Sequence, residues 1–292
     1  MKKRSFSIVN LFLFIVLTFY SILLLWMLGW AFLSSVKTLG DYTINPLSFP
    51  KQWKFDNYVK AFEVIQVPVM TSEGRRVIGL LEMFGYSLLY SVGASILGTI
   101  MPCIAAYLTA KYKSWFNNIA YAIVIFAMII PIIGNLPSML QVLDFLGLYN
   151  TIYGVWIMKA SFLGMYFLVF YGTFKGVSWE YAEAAIIDGA GHFRIMFNIM
   201  LPLIKNTIVT VFILLFIVNW NDYQTPMIYM PDMPTAAYGL HRFIKQNGGH
   251  GSNQIPPIQL AAGMVILLPI LVIFLVLKDT IMNNISMGGL KC

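Results

Sequence analysis

Charge is what this sequence has least of. Of 292 residues only 12 are acidic and 19 are Lys or Arg, 11% together, against 59% hydrophobic. Cysteine is scarcer still: Cys103 lies inside an apolar run and Cys292 is the last residue, so no disulfide between them is expected and both read as free thiols. The three histidines, His192, His241 and His250, are spread along the chain and form no metal-ligand spacing. There is no G-x-x-x-x-G-K-[ST], no H-E-x-x-H and no G-x-S-x-G, which excludes a phosphate-cradling loop, that zinc site and a serine elbow. The chain is therefore not expected to be an enzyme. Its net charge of +7 comes with no basic run interleaved with aromatics, so nucleic acid is not an expected partner. Low-complexity tracts, strong internal repeats and linkers are missing too, and one domain, 1–292, is expected.

What is present is apolar sequence in blocks. Mean hydropathy is +0.76, with 22 Phe, 16 Tyr and 7 Trp, more than one soluble core uses. Residues 8–33, 84–110, 115–143 and 255–277 contain no charged residue, and each exceeds the roughly 20 residues a helix needs to cross a bilayer. Two more runs carry one charge each: 148–174, interrupted by Lys159, and 206–230, interrupted by Asp222. The expected fold is all-α, a polytopic membrane protein with six transmembrane helices. The first run exceeds the roughly 7–15 residues of a signal-peptide core and is read as a retained helix. Placing the N-terminus in the cytoplasm puts ten Lys and Arg inside and eight outside, six of those in one long loop, a modest bias that leaves both termini cytoplasmic. The loop 34–83 has room for short helices, and 231–253 reads as a Gly- and Pro-rich loop.

Between the fourth and fifth runs, "EYAEAAIIDGAGHFRIMFNIMLP" holds too much charge to cross a bilayer. It reads as two short helices, 179–187 and 192–200, on either side of Gly189 and Gly191, with Pro202 starting the next helix. Helices lying on lipid typically carry Lys and Arg on their polar face, whereas this one opens with acids. A protein partner fits it better than a headgroup layer does.

Within the spans, Asn219, Trp220, Asn221, Asp222 and Tyr223 gather side chains that hold sugars, but such groups also bond neighbouring helices. Lys159, near the midplane, must face protein or water. It has three readings: an ion pair with an acid such as Asp222, a cavity charge that favours an anionic sugar, or snorkelling toward polar backbone.

At this point the residues carry a resemblance. Glu183-Ala184-Ala185, three residues, Gly189, nine residues, then Ile199-x-Leu201-Pro202 resembles the EAA loop of binding-protein-dependent ABC importer permeases of the carbohydrate-uptake, MalG-like kind. "SSVKT", "NPLSFPKQWKFDNYVKAF", "LGLYNT" and "NWNDYQTPMIY" are similar to other stretches of that family. Tyr86 and Lys159 depart from it, as does the terminal Cys292. The resemblance implies a cytoplasmic coupling helix within 176–204, using Glu183, Ala184, Ala185, Asp188, Gly189, Leu201 and Pro202 to engage an ATPase. It implies a translocation cavity near Lys159 and residues 219–223, and an outer loop with His241, Arg242, Gly248, Gly249 and His250 that faces a solute-binding protein. Further implied are a second related permease, two ATP-binding subunits that carry ATP and Mg, a sugar or oligosaccharide substrate, surrounding membrane lipid and a bacterial cell membrane. The competing class, an ion-gradient-driven transporter or channel, would call for intramembrane acidic relays or paired discontinuous helices and gives no reason for the EAA spacing.

Overall fold

The computed structural model describes residues 8–71, 74–112, 114–130, 134–246 and 256–287. These fall into two compact units, one made of residues up to 66 with 240–268, the other of 67–239 with the residues from 269 on.

The first unit begins with α1 (Ile8–Ser35), a 28-residue helix whose apolar side chains are exposed along most of its length. α2 (Leu39–Ile44) is capped by Thr38, whose Oγ1 accepts from the Asp41 amide at 3.2 Å. α3 (Asp56–Val64) follows. The turn between α1 and α2 is held by polar side chains acting on loop backbone. Lys37, 1% exposed, donates to the carbonyls of Asn45 (2.8 Å) and Pro46 (3.2 Å), and Asn57 donates to those of Ser35 (2.7 Å) and Lys37 (2.9 Å). Loop carbonyls that no helix or strand would satisfy thus find partners inside the chain.

A hairpin, β1 (Gln66–Thr71) with β2 (Gly74–Gly79), follows, and it corrects the all-α expectation. Val67, Val69 and Ile78 are buried, the period-2 pattern of a half-covered strand pair.

The second unit is organised on α4 (Leu80–Lys111), a 32-residue helix. Its buried positions, from Leu80 and Met83 through Ser87, Ser91, Ala94 and Ser95 to Gly98, Thr99, Cys103 and Ala106, form one helical stripe. From Ser87 to Thr99 the stripe is mostly small or hydroxyl-bearing, with Tyr90 buried among these residues, while Leu81, Leu88, Leu89, Ile96 and Ile100 point outward. This is the arrangement of a helix in lipid, where small side chains let neighbouring backbones approach and the bulky ones face hydrocarbon. Ser95 Oγ accepts from Asn219 Nδ2 at 3.0 Å, and Ser87 Oγ accepts from the Ala236 amide at 2.8 Å.

Around α4 three of the apolar runs are each represented by two helices. The run 115–143 becomes α5 (Trp115–Ile129) and α6 (Leu136–Phe145). The run 148–174 becomes α7 (Ile152–Lys159) and α8 (Met165–Gly176), parted where Gly164 takes φ +137°. α9 (Glu180–Ile187), α10 (His192–Ile195), a π-helical stretch (Met196–Met200) and α11 (Leu201–Leu203) lead into α12 (Lys205–Asn221). A short α13 (Gln224–Tyr229) completes the fifth run after a break at Asp222. α14 (Ala236–Gln246) stands where sequence alone gave a loop, and α15 (Pro256–Met287) follows. α7, α8 and α12 pack on α4.

Among the described residues, three helices are long and apolar enough to cross a membrane: α1, α4 and α15 from Pro256 to Val276. A fourth results if His192–Leu203 and Lys205–Asn221, bent by 75°, count as one span. Of the six expected spans, 148–174 and 206–230 are each divided into two helices, next to Lys159 and Asp222, the charges that interrupt those runs.

Two clusters fill the second unit. Tyr107, Phe167, Phe170, Phe174, Ile195 and Met200 bury together at one end, and Tyr90, Leu143, Val155, Tyr229 and Met230 at the other.

Candidate functional site

The helix–turn–helix at 180–203 has sharply defined geometry. α9 ends in a Schellman motif: Ala190 N–H donates to Ala185 C=O (2.8 Å) and Gly189 N–H to Ile186 C=O (3.0 Å), with Gly189 at φ +80°. Only glycine takes that conformation without a Cβ penalty. The inner face of α9 is Ala182, fully buried, and Ala185, both in the cluster that holds Ile195 and Met200. Glu183, Ala184 and Asp188 are exposed, beside Ile187 (86% exposed) and Phe193 (79%). Outward-facing acids set among bare apolar side chains suit a protein partner's cleft better than water.

Pro202 does not start the next long helix. It sits in the first turn of α11, and α12 begins only at Lys205, after a corner at Ile204 (φ −106°, ψ 14°). The π-helical stretch explains how the chain carries a proline here. Leu201 N–H reaches back to Met196 C=O, and this wider register eases the clash a proline ring makes with the preceding turn. Leu201 is half-buried and Pro202 exposed.

Aromatic and polar contacts fasten this segment to the end of α4. Tyr112 OH lies 3.0 Å from His192 Nδ1, and the Tyr112 ring meets those of Trp179, His192 and Tyr107 edge-on. Lys111 Nζ donates to Val177 C=O at 2.5 Å. Nothing in the sequence pattern singled out Tyr112.

A second group of polar side chains meets where two helices break. Lys159 ends α7 and Asp222 ends α12, and their side chains pair at 3.0 Å. Of the three readings of Lys159, the ion pair is the one observed. Asp222 Oδ2 also accepts from Tyr90 OH (2.9 Å), and its Oδ1 accepts from the Thr225 amide (3.0 Å), which turns the chain into α13. α4, α7 and α13 are joined through one carboxylate. Tyr90 went unnoticed in the sequence because a lone tyrosine in an apolar run carries no signal, whereas Lys159 and Asp222 stood out as the charges of their runs.

The other cavity candidates are distributed differently. Asn219, 3% exposed, bonds Ser95 on α4, and Trp220 stacks with Phe216 and packs near Phe84. Asn221 is exposed and donates to the Ile217 carbonyl one turn back, and Tyr223 is 39% exposed. Beside Lys159 lies a cavity of about 340 Å³ lined by Asn135, Lys159, Gln224, Thr225 and Tyr229 with Leu136, Met139, Met158 and Ile228. Asn150, at φ +56°, donates its amide to the carbonyl of the cavity residue Tyr229 (2.9 Å), and its side chain donates to Asp232 Oδ2 (2.6 Å) and accepts from the Asp232 amide (3.2 Å). His241 and Arg242 are part-buried in α14 rather than in an open loop. Gly248, Gly249 and His250 lie outside the described residues.

A long small-faced helix, partners broken at a charged pair and an exposed acidic helix–turn–helix define a multi-pass membrane transport subunit. The chain belongs to the family described as "Binding-protein-dependent transport system inner membrane component", whose model matches residues 98–285. Over 285 residues it is 26% identical to the "Diacetylchitobiose uptake system permease protein NgcG" of Streptomyces coelicolor, covering 94% of this chain and 87% of that one. Over 262 residues it is 28% identical to the "Melibiose/raffinose/stachyose import permease protein MelC" of Bacillus subtilis, with 88% of each covered. A solved bacterial ABC transporter "involved in the import of the acidic polysaccharide alginate" shares the fold, with a TM-score of 0.76 at 18% identity over 96% of this chain and 98% of that one.

Proposed function

We propose that this chain is the permease subunit of an ATP-driven importer that moves a sugar or oligosaccharide across a bacterial cytoplasmic membrane. The observation that carries the reading is the helix–turn–helix of α9 and α10, set at the spacing of an ABC importer's coupling loop and matched within the family region. The cargoes named for its relatives, diacetylchitobiose in one and melibiose, raffinose and stachyose in the other, support a carbohydrate cargo.

In this reading six spans cross the membrane as one domain, 1–292, three of them as helix pairs, with both termini and the 176–204 segment in the cytoplasm. ATP and Mg are held by two partner ATPase subunits, a second related permease completes the pathway, and an extracytoplasmic solute-binding protein delivers the solute. Glu183 and Asp188 meet basic groups of the ATPase, while Ala184 allows close approach. Gly189 keeps α9 and α10 at a fixed angle, and Leu201 and Pro202 lead into the corner at Ile204. Closure of the ATPase pair then pushes α9 and α10 as one body, and Tyr112 and Lys111 pass that displacement to α4. Rocking of α4 relative to α7, α8 and α12 alternates access to the cavity beside Lys159. His241, Arg242, Gly248, Gly249 and His250 face the solute-binding protein.

The test is ATP hydrolysis and sugar uptake by the complex reconstituted with its partners, wild type against Glu183→Lys. Stimulation of hydrolysis by sugar-loaded binding protein, lost in the variant, is the expected result. Uptake that needs no ATP and ignores the substitution would refute the proposal.

A further inference from the structure

We infer that the Lys159–Asp222 pair makes the cavity of this subunit select neutral, hydroxyl-rich solutes over acidic ones, with Lys159 as the specificity-determining contact. The inference rests on the importer reading above. The cavity of about 340 Å³ falls in the range of roughly 300–1,000 Å³ usual for small-molecule pockets, and Asn135, Lys159, Gln224, Thr225 and Tyr229 give it polar walls. The other described cavities are lined mainly by apolar side chains.

The balance of donors and charge decides what this wall recognises. An ammonium carries three N–H donors, and among the described residues Asp222 Oδ2, at 3.0 Å, is the one side-chain acceptor bonded to Nζ. Two donors remain for solute oxygens. Asp222 is turned to the protein instead: it accepts from Lys159, Tyr90 and the Thr225 amide and is not among the cavity's lining residues. The wall therefore offers hydrogen bonds with no net charge.

A hydroxyl oxygen can take a remaining N–H and leave the pair intact. A carboxylate cannot do so equally well. If it draws the ammonium away, Asp222, 16% exposed, keeps its charge without a counter-ion, which is costly in a low-dielectric site. If the pair holds, the incoming carboxylate is bound close to a second one, and like charges in one site disfavour each other. A lone lysine at this depth would recruit anions; Asp222 cancels that.

The experiment is equilibrium binding of two radiolabelled trisaccharides, one neutral and one with a single uronate, to the purified permease–ATPase complex in nanodiscs without binding protein. Wild type is expected to prefer the neutral sugar by about tenfold or more, a difference of about 1.4 kcal/mol. Asp222→Asn, which frees the ammonium, is expected to erase or reverse that preference. The double variant Lys159→Met with Asp222→Asn should restore it with weaker binding of both sugars. If Asp222→Asn does not assemble, Lys159→Gln decides: it should keep neutral binding within a few-fold and disfavour the uronate further. Equal binding of both sugars by wild type, an unchanged ratio in Asp222→Asn, or equal weakening of both in Lys159→Gln overturns the inference. So does failure of the neutral sugar to bind while ATP-driven uptake is intact. Loss of ATP-dependent uptake in wild type would instead sink the importer reading itself.

Discussion

Replacing Gly189 tests the proposed coupling segment at its one left-handed residue. An added Cβ would meet nothing within 4 Å, so crowding is not the issue; the φ of +80° is. An L-residue held in the left-handed region costs roughly 1–2 kcal/mol, Asn less and a β-branched residue more. Alanine should therefore shift the corner toward its open form by a factor of about 5–30, valine further and asparagine least. The open form loses the two hydrogen bonds from Gly189 and Ala190 to the carbonyls of Ile186 and Ala185. Hydrogen exchange at Ala190 should accelerate in the order Gly, Asn, Ala, Val, and sugar moved per ATP hydrolysed should fall in the same order. Valine behaving like asparagine in both assays would show that the left-handed turn is irrelevant to coupling and refute the reasoning.

Four other substitutions probe the packing. Gly154→Ala would place a Cβ 2.2 Å from the Leu148 carbonyl oxygen, so α7 must shift, and a loss of about 1–3 kcal/mol should appear as a lower melting temperature in detergent. Gly93→Val would drive a side chain into the Trp156 ring, 2.1 Å from the Cβ position, and should cost at least as much in the same melt. Asn219→Leu removes the bond to Ser95, and about 0.6–1.7 kcal/mol should be lost, measurable by a double-mutant cycle with Ser95→Ala. Asn150→Val must hold a β-branched residue at φ +56° and break the contact with Asp232, so it should destabilise the subunit while Asn150→Gly is milder, as limited proteolysis would report.

The parts of this fold that sequence makes plain are those set by length and charge. Residues 8–33, 84–110 and 255–277 are long and free of charge, and they became α1, α4 and α15, although the equally long, uncharged 115–143 gave two shorter helices. The turn between α9 and α10 was legible because Gly189 is one of few residues able to end α9 as it does. Breaks were not, because a five-residue interruption such as 160–164 changes neither mean hydropathy nor length. The hairpin at 66–79 was hidden by its shortness, and α14 by the turn-forming residues that follow it. Pro202 misplaced the start of α12 by three residues, since a wider helical register absorbed what a proline ordinarily forbids. Lys159, on the cavity wall, and its partner Asp222 announced themselves by charge, but which of the neighbouring polar residues would turn toward α4 depended on helix rotation, and Asn219 and Trp220 turned inward.

The stripe of Ser87, Ser91, Ala94, Ser95, Gly98 and Thr99 along α4 reverses the usual map of mutational tolerance. In a water-soluble protein the large apolar residues are the ones that cannot drift. Here leucine at 81, 88 or 89 can be exchanged for another bulky apolar residue at little cost, because its surroundings are fluid hydrocarbon. On the small side an added methyl meets a neighbour at once: at Gly98 it would lie 3.2 Å from the Leu215 side chain of α12, and at Gly93 it would enter the Trp156 ring. A deep mutational scan of this chain should find its least replaceable positions among its smallest side chains.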